Sequence, residues 1–286
     1  MECKSTVTII CPLYNAENYI YKLNESIIKQ KNVILLEVKY LLTESNDRTE
    51  EILIDNHIHY EKIKKNDFSH SLTREKAAFM CNSDILVFIT QDIIIERDDW
   101  LFELIRPLVT GEAEAAFSRQ LCNNNSIEKY TREKNYPAES RTVSQQDIKK
   151  MGLDTFFFSD ASSAILRDVF VKLNGYDGKN LPISEDMYIA YKIIQNGYRI
   201  RYSAESEIVH SHNFTLRQQY ERYKLTGIFF KENNYLDKYG TNKTGAGMAT
   251  YILKRALSDK NWKVVLIFIP NMLARFLGMK AGKYLG

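Results

Sequence analysis

A single acidic residue, Asp92, directly follows a short apolar stretch and could bind a cation there. Residues 85–89 (ILVFI) are β-branched or aromatic and unbroken by polar residues, which is typical of a strand buried on both faces of a parallel sheet. Thr90-Gln91-Asp92 comes next, at the carboxyl end of this strand. Ligands of open α/β sheets bind beyond such ends, where a carboxylate can hold a divalent cation against phosphates. The alternative, equally supported by this stretch alone, is that Asp92 caps the next turn.

Two adjacent acids, Glu185 and Asp186, follow Ser184 and open a segment whose apolar residues recur at helical spacing. A serine cap followed by two acids is a common helix start, and spacing alone favours that interpretation. The pair could also contain one carboxylate that is held basic and accepts a proton while the other is structural.

Two histidines, His210 and His212, follow a strand-like stretch at residues 198–209. Alternate residues of a strand point to one side, so the two imidazoles could share a face. A histidine at a strand end is more often exposed or hydrogen-bonded than a metal ligand. We therefore expect His210 to bind a metal only if Asp92 lies nearby.

The elements that must position these groups alternate between strand and helix. Strand patterns cover residues 7–11, 38–42, 58–60, 85–89 and 160–166, and helical patterns cover residues 19–28, 50–55, 100–109 and 185–194, with a further helix ending near residue 81. This alternation predicts a parallel sheet with right-handed crossovers. The polar clusters PLYN, TESND and TQD each follow a strand and would meet at one edge of the sheet.

We also expect Asn15 to cap the first helix and residues 123–147 to form an irregular substrate loop.

Neither of the two common glycine-rich phosphate loops is present. No GxxxxGK motif follows a strand, and no GxGxxG follows the first one. Bound phosphates would therefore need a metal and a cationic side chain such as Arg74. The stretch CPLYNAEN has neither glycine nor a basic residue, which argues against a nucleotidyltransferase.

The composition is that of a folded protein. A chain of 286 residues with 44% hydrophobic and 26% charged residues can form one large α/β domain, or a domain with an appendage. The four cysteines, Cys3 among them, have no CxxC spacing, so we expect reduced thiols in a cytosol rather than a zinc site or disulfides. The N-terminal residues have no signal-peptide pattern.

The C-terminal segment, residues 251–286, carries seven lysines or arginines and one acid. It is apolar between these charges, which favours a lipid surface over nucleic acid as its partner. The apolar run Val264–Ile269 stops at Pro270, so we expect a helix too short to span a membrane that lies in the membrane interface instead. A helix covering the core, or a homodimer contact, is the alternative.

Seven segments, in this order, resemble the family 2 glycosyltransferases, which are nucleotide-sugar enzymes of the GT-A fold. They are VTIICPLYNAENYI, TESNDRTEEI, FSHSLTREKAA, DILVFITQD, SSAILRDVFVKLNGYD, SEDMYIAYKIIQNGYRIRY and IVHSHNF. The resemblance covers roughly residues 7–230. Within the family, the stretches FSHSLTR, RQ, NYPAESR and HSHNFTLRQQYERY are most similar to bacterial rhamnosyltransferases.

The resemblance implies an α/β architecture with a Rossmann-like, mostly parallel sheet flanked by helices. Residues 1–215 would form the nucleotide-sugar-binding catalytic domain, and residues 216–286 a C-terminal helical region. Asp186 would be the general base, Arg74 would approach the diphosphate, and Asp92 with His210 would hold Mg²⁺ or Mn²⁺. The other residues implied to bind the donor are Pro12, Tyr14, Asn15, Thr43, Glu44, Ser45, Asp47 and Gln91. Those expected to contact the acceptor are Glu185, Asp160 and Trp100.

The implied activity is inverting transfer of a sugar, L-rhamnose from its deoxythymidine diphosphate donor, to a lipid-linked saccharide at the inner face of the cell membrane. Two departures weaken parts of this inference. Thr90 replaces the first acid of the family's DXD motif, and Leu42-Thr43 stands where many relatives carry an aspartate after the second strand. A different donor such as a UDP-hexose, or a nucleotide-sugar-binding module without catalysis, is the alternative.

Overall fold

The computed structural model describes residues 4–285, with the side chains of all these residues except 241–244 and 285. Cys3 lies outside the described residues, and Cys11, Cys81 and Cys122 are free thiols. The strands are β1 (Thr6–Leu13), β2 (Ile34–Thr43), β3 (Tyr60–Ile63), β4 (Ile85–Ile89), β5 (Ala115–Leu121), β6 (Arg141–Val143), β7 (Ser162–Leu166) and β8 (Ile200–Val209).

Helices connect these strands and continue beyond the last one. They are α1 (Ile20–Ile28), α2 (Thr49–Asp55), α3 (His70–Met80), α4 (Trp100–Val109), α5 (Ile127–Asn135), α6 (Ile148–Met151), α7 (Arg167–Lys172), α8 (Glu185–Gln195), α9 (Leu216–Glu232), α10 (Thr241–Ser258) and α11 (Trp262–Leu285). Short 3₁₀ turns at Lys65–Asp67, Gln145–Asp147, Gly152–Phe156 and Asn234–Tyr239 complete the connections.

All eight strands join in one sheet with the order β3-β2-β1-β4-β7-β5-β8-β6. The pairs β1–β2, β1–β4, β2–β3 and β5–β8 are parallel, whereas β7 runs antiparallel to both β4 and β5, and β6 is antiparallel to β8. The parallel strands β1, β2 and β4 end at one edge, as the polar clusters predicted. The predicted α/β class with a mostly parallel sheet is confirmed.

Apolar side chains on the two faces of the sheet form two separate cores, because successive strand residues point to opposite faces. In β1, Ile9 belongs to the core beneath α1 and α4, and Ile10 to the core beneath α3 and α8. All five residues of β4 are buried, as predicted for a strand covered on both faces. The sheet edge that carries Asp92 is therefore held rigidly between two helical layers.

Three local predictions are wrong. Residues 123–147 are not an irregular loop, because they contain α5 and the edge strand β6. Asn15 does not cap α1, which begins at Ile20; it adopts a positive φ of 49° and accepts a hydrogen bond from the Asn46 backbone N–H through its side chain. Strand β5 has no counterpart in the sequence-based prediction.

Helix α11 packs along α9 at glycine positions. A Cβ atom on Gly282 would collide with the carbonyl of Lys224, and one on Gly278 would collide with the carbonyl of Tyr220. The spacing of four residues places both glycines on one face of α11, so the two backbones can approach closely. The C-terminal helices are thus held firmly against the catalytic body through α9.

The opposite face of α11 is apolar and exposed. Five of its residues recur at spacings of three and four, and Tyr284 follows eight residues after Phe276, with the exposed Lys280 between them: Trp262, Leu266, Ile269, Leu273, Phe276 and Tyr284. We call these six residues the apolar stripe; Leu266 is 80% and Ile269 is 73% exposed. The helix runs through Pro270, so the predicted break there is wrong, and by length and composition alone residues 262–284 could cross a membrane.

Candidate active site

A cavity of about 710 Å³ opens where the carboxyl ends of the parallel strands meet. Asp92 and Asp186 both line it, although they are far apart in sequence. The predicted donor-binding residues that line it are Pro12, Tyr14, Thr43, Arg74, Gln91 and Asp92. The sheet therefore brings the predicted cation-binding acid and the predicted base to a single space.

Asp92 lies between two imidazoles. Its carboxylate oxygens are 3.5 Å from His210 Nε2 and 3.6 Å from His212 Nδ1. The three potential ligand atoms lie within 4.8 Å of one another. His210 follows β8 and pairs with the backbone of Leu121, while Asp92 follows β4, so two strands converge on this group. The condition set for a metal role of His210, that Asp92 lies nearby, is therefore met.

The hydrogen bonds of His210 leave one of its ring nitrogens free to bind a metal. Gln120 Oε1 faces both Arg132 Nη1, which can only donate, and His210 Nδ1 at 3.0 Å. Nδ1 must then carry the proton, so Nε2 keeps a lone pair. Nε2 is buried and has no hydrogen-bond partner among the described residues. An unpaired buried nitrogen next to a carboxylate fits a divalent cation such as Mg²⁺ or Mn²⁺.

Electrostatics favour the metal-binding protonation states at this group. Burial alone would raise the pKa of Asp92, but the protonated forms of His210 and His212 would outweigh it and hold that pKa well below its usual range. Burial, reinforced by His210, lowers the pKa of His212 to about 4, against the opposing pull of Asp92. At neutral pH Asp92 is therefore a carboxylate and His212 a neutral imidazole, which are the forms that bind metals.

A second cluster of charges lies around Arg74, which is 2% exposed. Its Nη1 donates to Glu185 Oε1 at 3.3 Å and to the His70 carbonyl at 3.0 Å. Burial opposes the charge on Arg74, yet Glu185 and Asp160 outweigh it, and the pKa of the guanidinium is raised. Arg74 therefore remains a cation in the cavity wall, as its predicted role at a diphosphate requires.

Asp186 is the basic member of the acidic pair. Burial, then the charge of Glu185, then that of Asp160 raise the pKa of Asp186 well above its usual value. Glu185 is held to Arg74, so the two neighbouring carboxyl groups have different environments. The helix-start interpretation is correct for the two acids, which lie in the first turn of α8. It is wrong for Ser184, whose backbone has the left-handed conformation and whose side chain makes no capping hydrogen bond.

The remaining predicted donor residues support the loops around the cavity. Gln91 holds the backbone of Tyr14 by accepting from its N–H at 2.7 Å and donating to its carbonyl at 2.9 Å. The other four do not line the cavity: Asn15, Glu44, Ser45 and Asp47. The side chains of Asn15, Ser45 and Asp47 hydrogen-bond the loops after β1 and β2 to each other, and that of Glu44 accepts from the Lys65 N–H in the turn after β3.

Two predicted acceptor contacts need correction. Trp100 is completely buried in the core, where its indole N–H donates to Ser118 and Ser162, so it cannot touch an acceptor. Asp160 lines the cavity but is 2% exposed, and its oxygens accept hydrogen bonds from Ser163 and Tyr176. Asp160 therefore acts on the site through its charge. Glu185 also lines the cavity, and its Oε1 accepts from Arg74.

Four further basic or imidazole side chains line the cavity without having been assigned a substrate or a metal from sequence: Lys65, His70, His212 and Arg222. His212 was recognisable from its spacing to His210, whereas Lys65 reaches the cavity from a 3₁₀ turn and donates to Tyr14 Oη at 3.2 Å. Arg222 comes from α9. The helical region that begins at residue 216 thus contributes to the catalytic cavity and is not a separate appendage.

A family model and two similar proteins all assign the chain to the same family. Residues 8–173 match the model of Glycosyl transferase family 2. Over 97% of its length the chain is 32% identical to the O-antigen chain rhamnosyltransferase RfbN of Salmonella typhimurium, covering 90% of that protein. It is also 32% identical to the O-antigen chain rhamnosyltransferase WbaN of Salmonella anatum, over 97% of this chain and 89% of that protein.

Solved structures of similar fold are glycosyltransferases. The mannosyltransferase PcManGT of Pyrobaculum calidifontis, determined with GDP-Man and Mn²⁺, gives a TM-score of 0.63 at 15% identity over 97% of this chain and 87% of that chain. Glucosyl-3-phosphoglycerate synthase of Mycobacterium tuberculosis, determined with Mn²⁺ and UDP-glucose, gives 0.53 at 15% identity over 79% of both chains. At this identity the likeness establishes the GT-A fold.

The Asp92 group predicts a measurable affinity for Mn²⁺ in the absence of any donor. We expect Asp92→Asn to lower this affinity by at least about 10-fold, and His212→Ala to lower it by about 10-fold, since each removes a ligand from a small set. Electron paramagnetic resonance of free Mn²⁺ measures both constants.

His59→Ala serves as the matched control, because His59 is exposed and far from the group in sequence and contacts. Equal Mn²⁺ affinities for the wild-type protein and Asp92→Asn would show that this group does not hold the metal.

Proposed function

This chain belongs to glycosyltransferase family 2, and we propose that it transfers a sugar from a nucleoside diphosphate donor to a saccharide acceptor with inversion at the anomeric carbon. The observation that supports this most is the shared cavity, which has a metal-binding group around Asp92 on one side and a basic carboxyl group, Asp186, in its wall. Direct displacement requires a base for the acceptor and a counter-charge for the leaving group.

The donor would lie across the edge formed by the ends of β1, β2 and β4. Pro12, Tyr14 and Thr43 line that part of the cavity and would flank the nucleobase and ribose. The diphosphate would lie near Arg74, whose buried cation needs no reorganisation to face an anion. Asp92 with His210 and His212 would hold the divalent ion. When bound, that ion neutralises negative charge on the leaving diphosphate.

Asp186 would take the proton of the attacking acceptor hydroxyl. Its raised pKa makes it a stronger base than an ordinary aspartate, provided that it is ionised when the acceptor arrives. Burial, followed by repulsion from Glu185, raises this pKa, and Glu185 is itself kept in place by Arg74. Arg74 would thus have two roles. It would balance the charge of the leaving diphosphate, and it would hold Glu185 in place next to the base, Asp186.

The proposed donor sugar is L-rhamnose, linked to deoxythymidine diphosphate, and the proposed acceptor is a lipid-linked saccharide. The support is the identity of 32% over almost the whole chain to two O-antigen chain rhamnosyltransferases. A panel of nucleotide sugars that includes deoxythymidine diphosphate rhamnose, a UDP-hexose and GDP-mannose decides the donor by competition binding.

We further propose that the apolar stripe of α11 rests in the membrane interface on the cytoplasmic side. The stripe is an exposed apolar face with Lys263 and Lys280 near its ends, as in helices that lie on anionic bilayers. Crossing is disfavoured because α11 is packed along α9, whose surface is rich in charged residues and could not enter hydrocarbon. A stripe placed in the interface would bring the catalytic cavity to a lipid-linked acceptor.

Replacing Asp186 with Asn should lower kcat by about 10²–10⁴-fold, the usual contribution of a general base, while the dissociation constant of the donor stays near the wild-type value. Turnover assays with Mn²⁺ measure the first quantity, and calorimetry with the nucleoside diphosphate measures the second. Near-normal turnover by Asp186→Asn would exclude this residue as the base.

Replacing two residues of the stripe, Leu266→Gln with Leu273→Gln, should release the protein from vesicles that contain anionic lipid, because burial of each leucine contributes about 1.5–3 kcal/mol. Sedimentation with phosphatidylglycerol vesicles measures binding. Ile54→Gln with Leu36→Gln, two exposed apolar residues outside the C-terminal helices, is the control. Undiminished sedimentation of the stripe variant would contradict the proposed membrane contact.

A further inference from the structure

A second cavity, of about 860 Å³, lies among α5, α6, α10 and the turn Asn234–Tyr239. We call it the basic cavity, because its lining contains five cationic side chains and a single described acid, Asp154. The cations are Lys134, Arg141, Lys149, Lys150 and Lys238. The catalytic cavity, by contrast, is lined by several carboxylates as well as cations. The two spaces therefore suit ligand groups of different charge.

The five cations are not neutralised by neighbouring carboxylates. Within the part of the chain that the structure describes, none of them makes an ion pair, and Arg141 and Lys238 lie over the rings of Tyr202 and Tyr239. Lys283, on the neighbouring helix α11, does form an ion pair, with Asp237 at 2.7 Å. Such an uncompensated positive cluster attracts an anion.

Lys134 shows that this positive charge extends into the protein. It is half-buried in the last turn of α5, and a Cβ on Gly247 would lie 3.1 Å from its Nζ. Burial lowers the pKa of Lys134, and Asp154 offsets this only in part. A bound anion would oppose this lowering, because an opposite charge favours the ionised form.

The basic cavity adjoins the catalytic cavity through one short segment. Gly152, Asp154 and Phe157 line the former, and Ser159 to Ala161 line the latter. Phe157 and Ser159 are two residues apart, so their Cα atoms are separated by no more than about 7 Å. The two cavities are thus neighbours in the fold, with this segment between them.

The basic cavity also lies beside the apolar helix. Lys238 lines the cavity, and its neighbour Asp237 forms an ion pair with Lys283 near the end of α11. The apolar stripe ends at Tyr284, one residue beyond Lys283. Anion-binding groups are thus placed next to an exposed apolar face, an arrangement that matches a lipid with a phosphate head.

We propose that the basic cavity binds the phosphate or diphosphate group of a lipid-linked acceptor, with the lipid chain against the apolar stripe and the saccharide extending into the catalytic cavity. This inference rests on the proposed function, because it presumes a saccharide acceptor at Asp186. Phosphates are recognised by several lysine and arginine donors, each of which forms a charge-assisted hydrogen bond. The same chemistry would accept free diphosphate.

Inorganic pyrophosphate, titrated calorimetrically into the full-length protein with chelator and no metal, tests the cavity. Lys149→Gln with Lys150→Gln should weaken binding by about tenfold or more, as expected for the loss of charge-assisted hydrogen bonds. Both residues are exposed, so the variant should fold. The matched control, Lys22→Gln with Lys76→Gln, removes two exposed charges elsewhere and should bind as the wild type does.

Vesicles separate a lipid head group from a free anion. Wild-type protein should prefer phosphatidylcholine vesicles that carry a polyprenyl phosphate over those that carry the same charge as phosphatidylglycerol, and inorganic pyrophosphate should abolish the preference. The Lys149→Gln, Lys150→Gln variant should lose the preference. If this variant keeps both the preference for polyprenyl phosphate and the affinity for pyrophosphate, the proposal is wrong. If it loses only the affinity for pyrophosphate, the basic cavity binds an anion but not the lipid head group.

Failure of this inference is distinguishable from failure of the proposed function. Donor turnover by the wild-type protein without measurable pyrophosphate binding would overturn the basic cavity as a ligand site and leave the transferase intact. Pyrophosphate binding without sugar transfer from any donor would overturn the proposed function, and with it the assignment of the ligand to an acceptor.

Discussion

The buried ion pair between Arg74 and Glu185 is the interaction on which the catalytic arrangement depends. Arg74 comes from α3 and Glu185 from the start of α8, so their contact fixes two separate elements against each other at the sheet edge. Removing one partner of such a pair leaves an uncompensated buried charge, at a cost of about 3–5 kcal/mol. Asp160 adds to the field from the segment before β7. Asp186 sits next to these charges, and its pKa is raised by burial first and then by the charges of Glu185 and Asp160.

The opposite side of the cavity depends on strand geometry. Asp92 and His210 each follow a strand, and their meeting requires β4 and β8 to be in one sheet although β7 and β5 lie between them. The isolated bridge between Ile94 and Val209 ties the two loops together. Gln120 then fixes the tautomer of His210. The strand order therefore brings Asp92 and His210 together, and the side-chain amide of Gln120 sets the orientation of the His210 ring.

Much of this could be predicted from sequence, and the failures have physical reasons. The strand before Asp92 was predictable because a fully buried strand has an unbroken apolar pattern, and the histidine pair because strands have a period of two. Strand β5 (AAFSRQL) was missed because its small and polar residues pack among serines and beside Trp100. Trp100 was misplaced because a tryptophan at a helix start can equally point inward. The basic cavity could not be predicted, since its five cations meet only through tertiary packing.

The most direct test of the central claim, that Glu185 makes Asp186 basic, is the pH dependence of kcat/KM, which reports ionisations of the free enzyme. A like charge raises a carboxyl pKa, so Glu185→Gln should lower the pKa of Asp186, and the now unneutralised Arg74 should lower it further. The account predicts that the acidic limb of the profile moves to lower pH in this variant. An acidic limb that stays in place, or moves to higher pH, would contradict it.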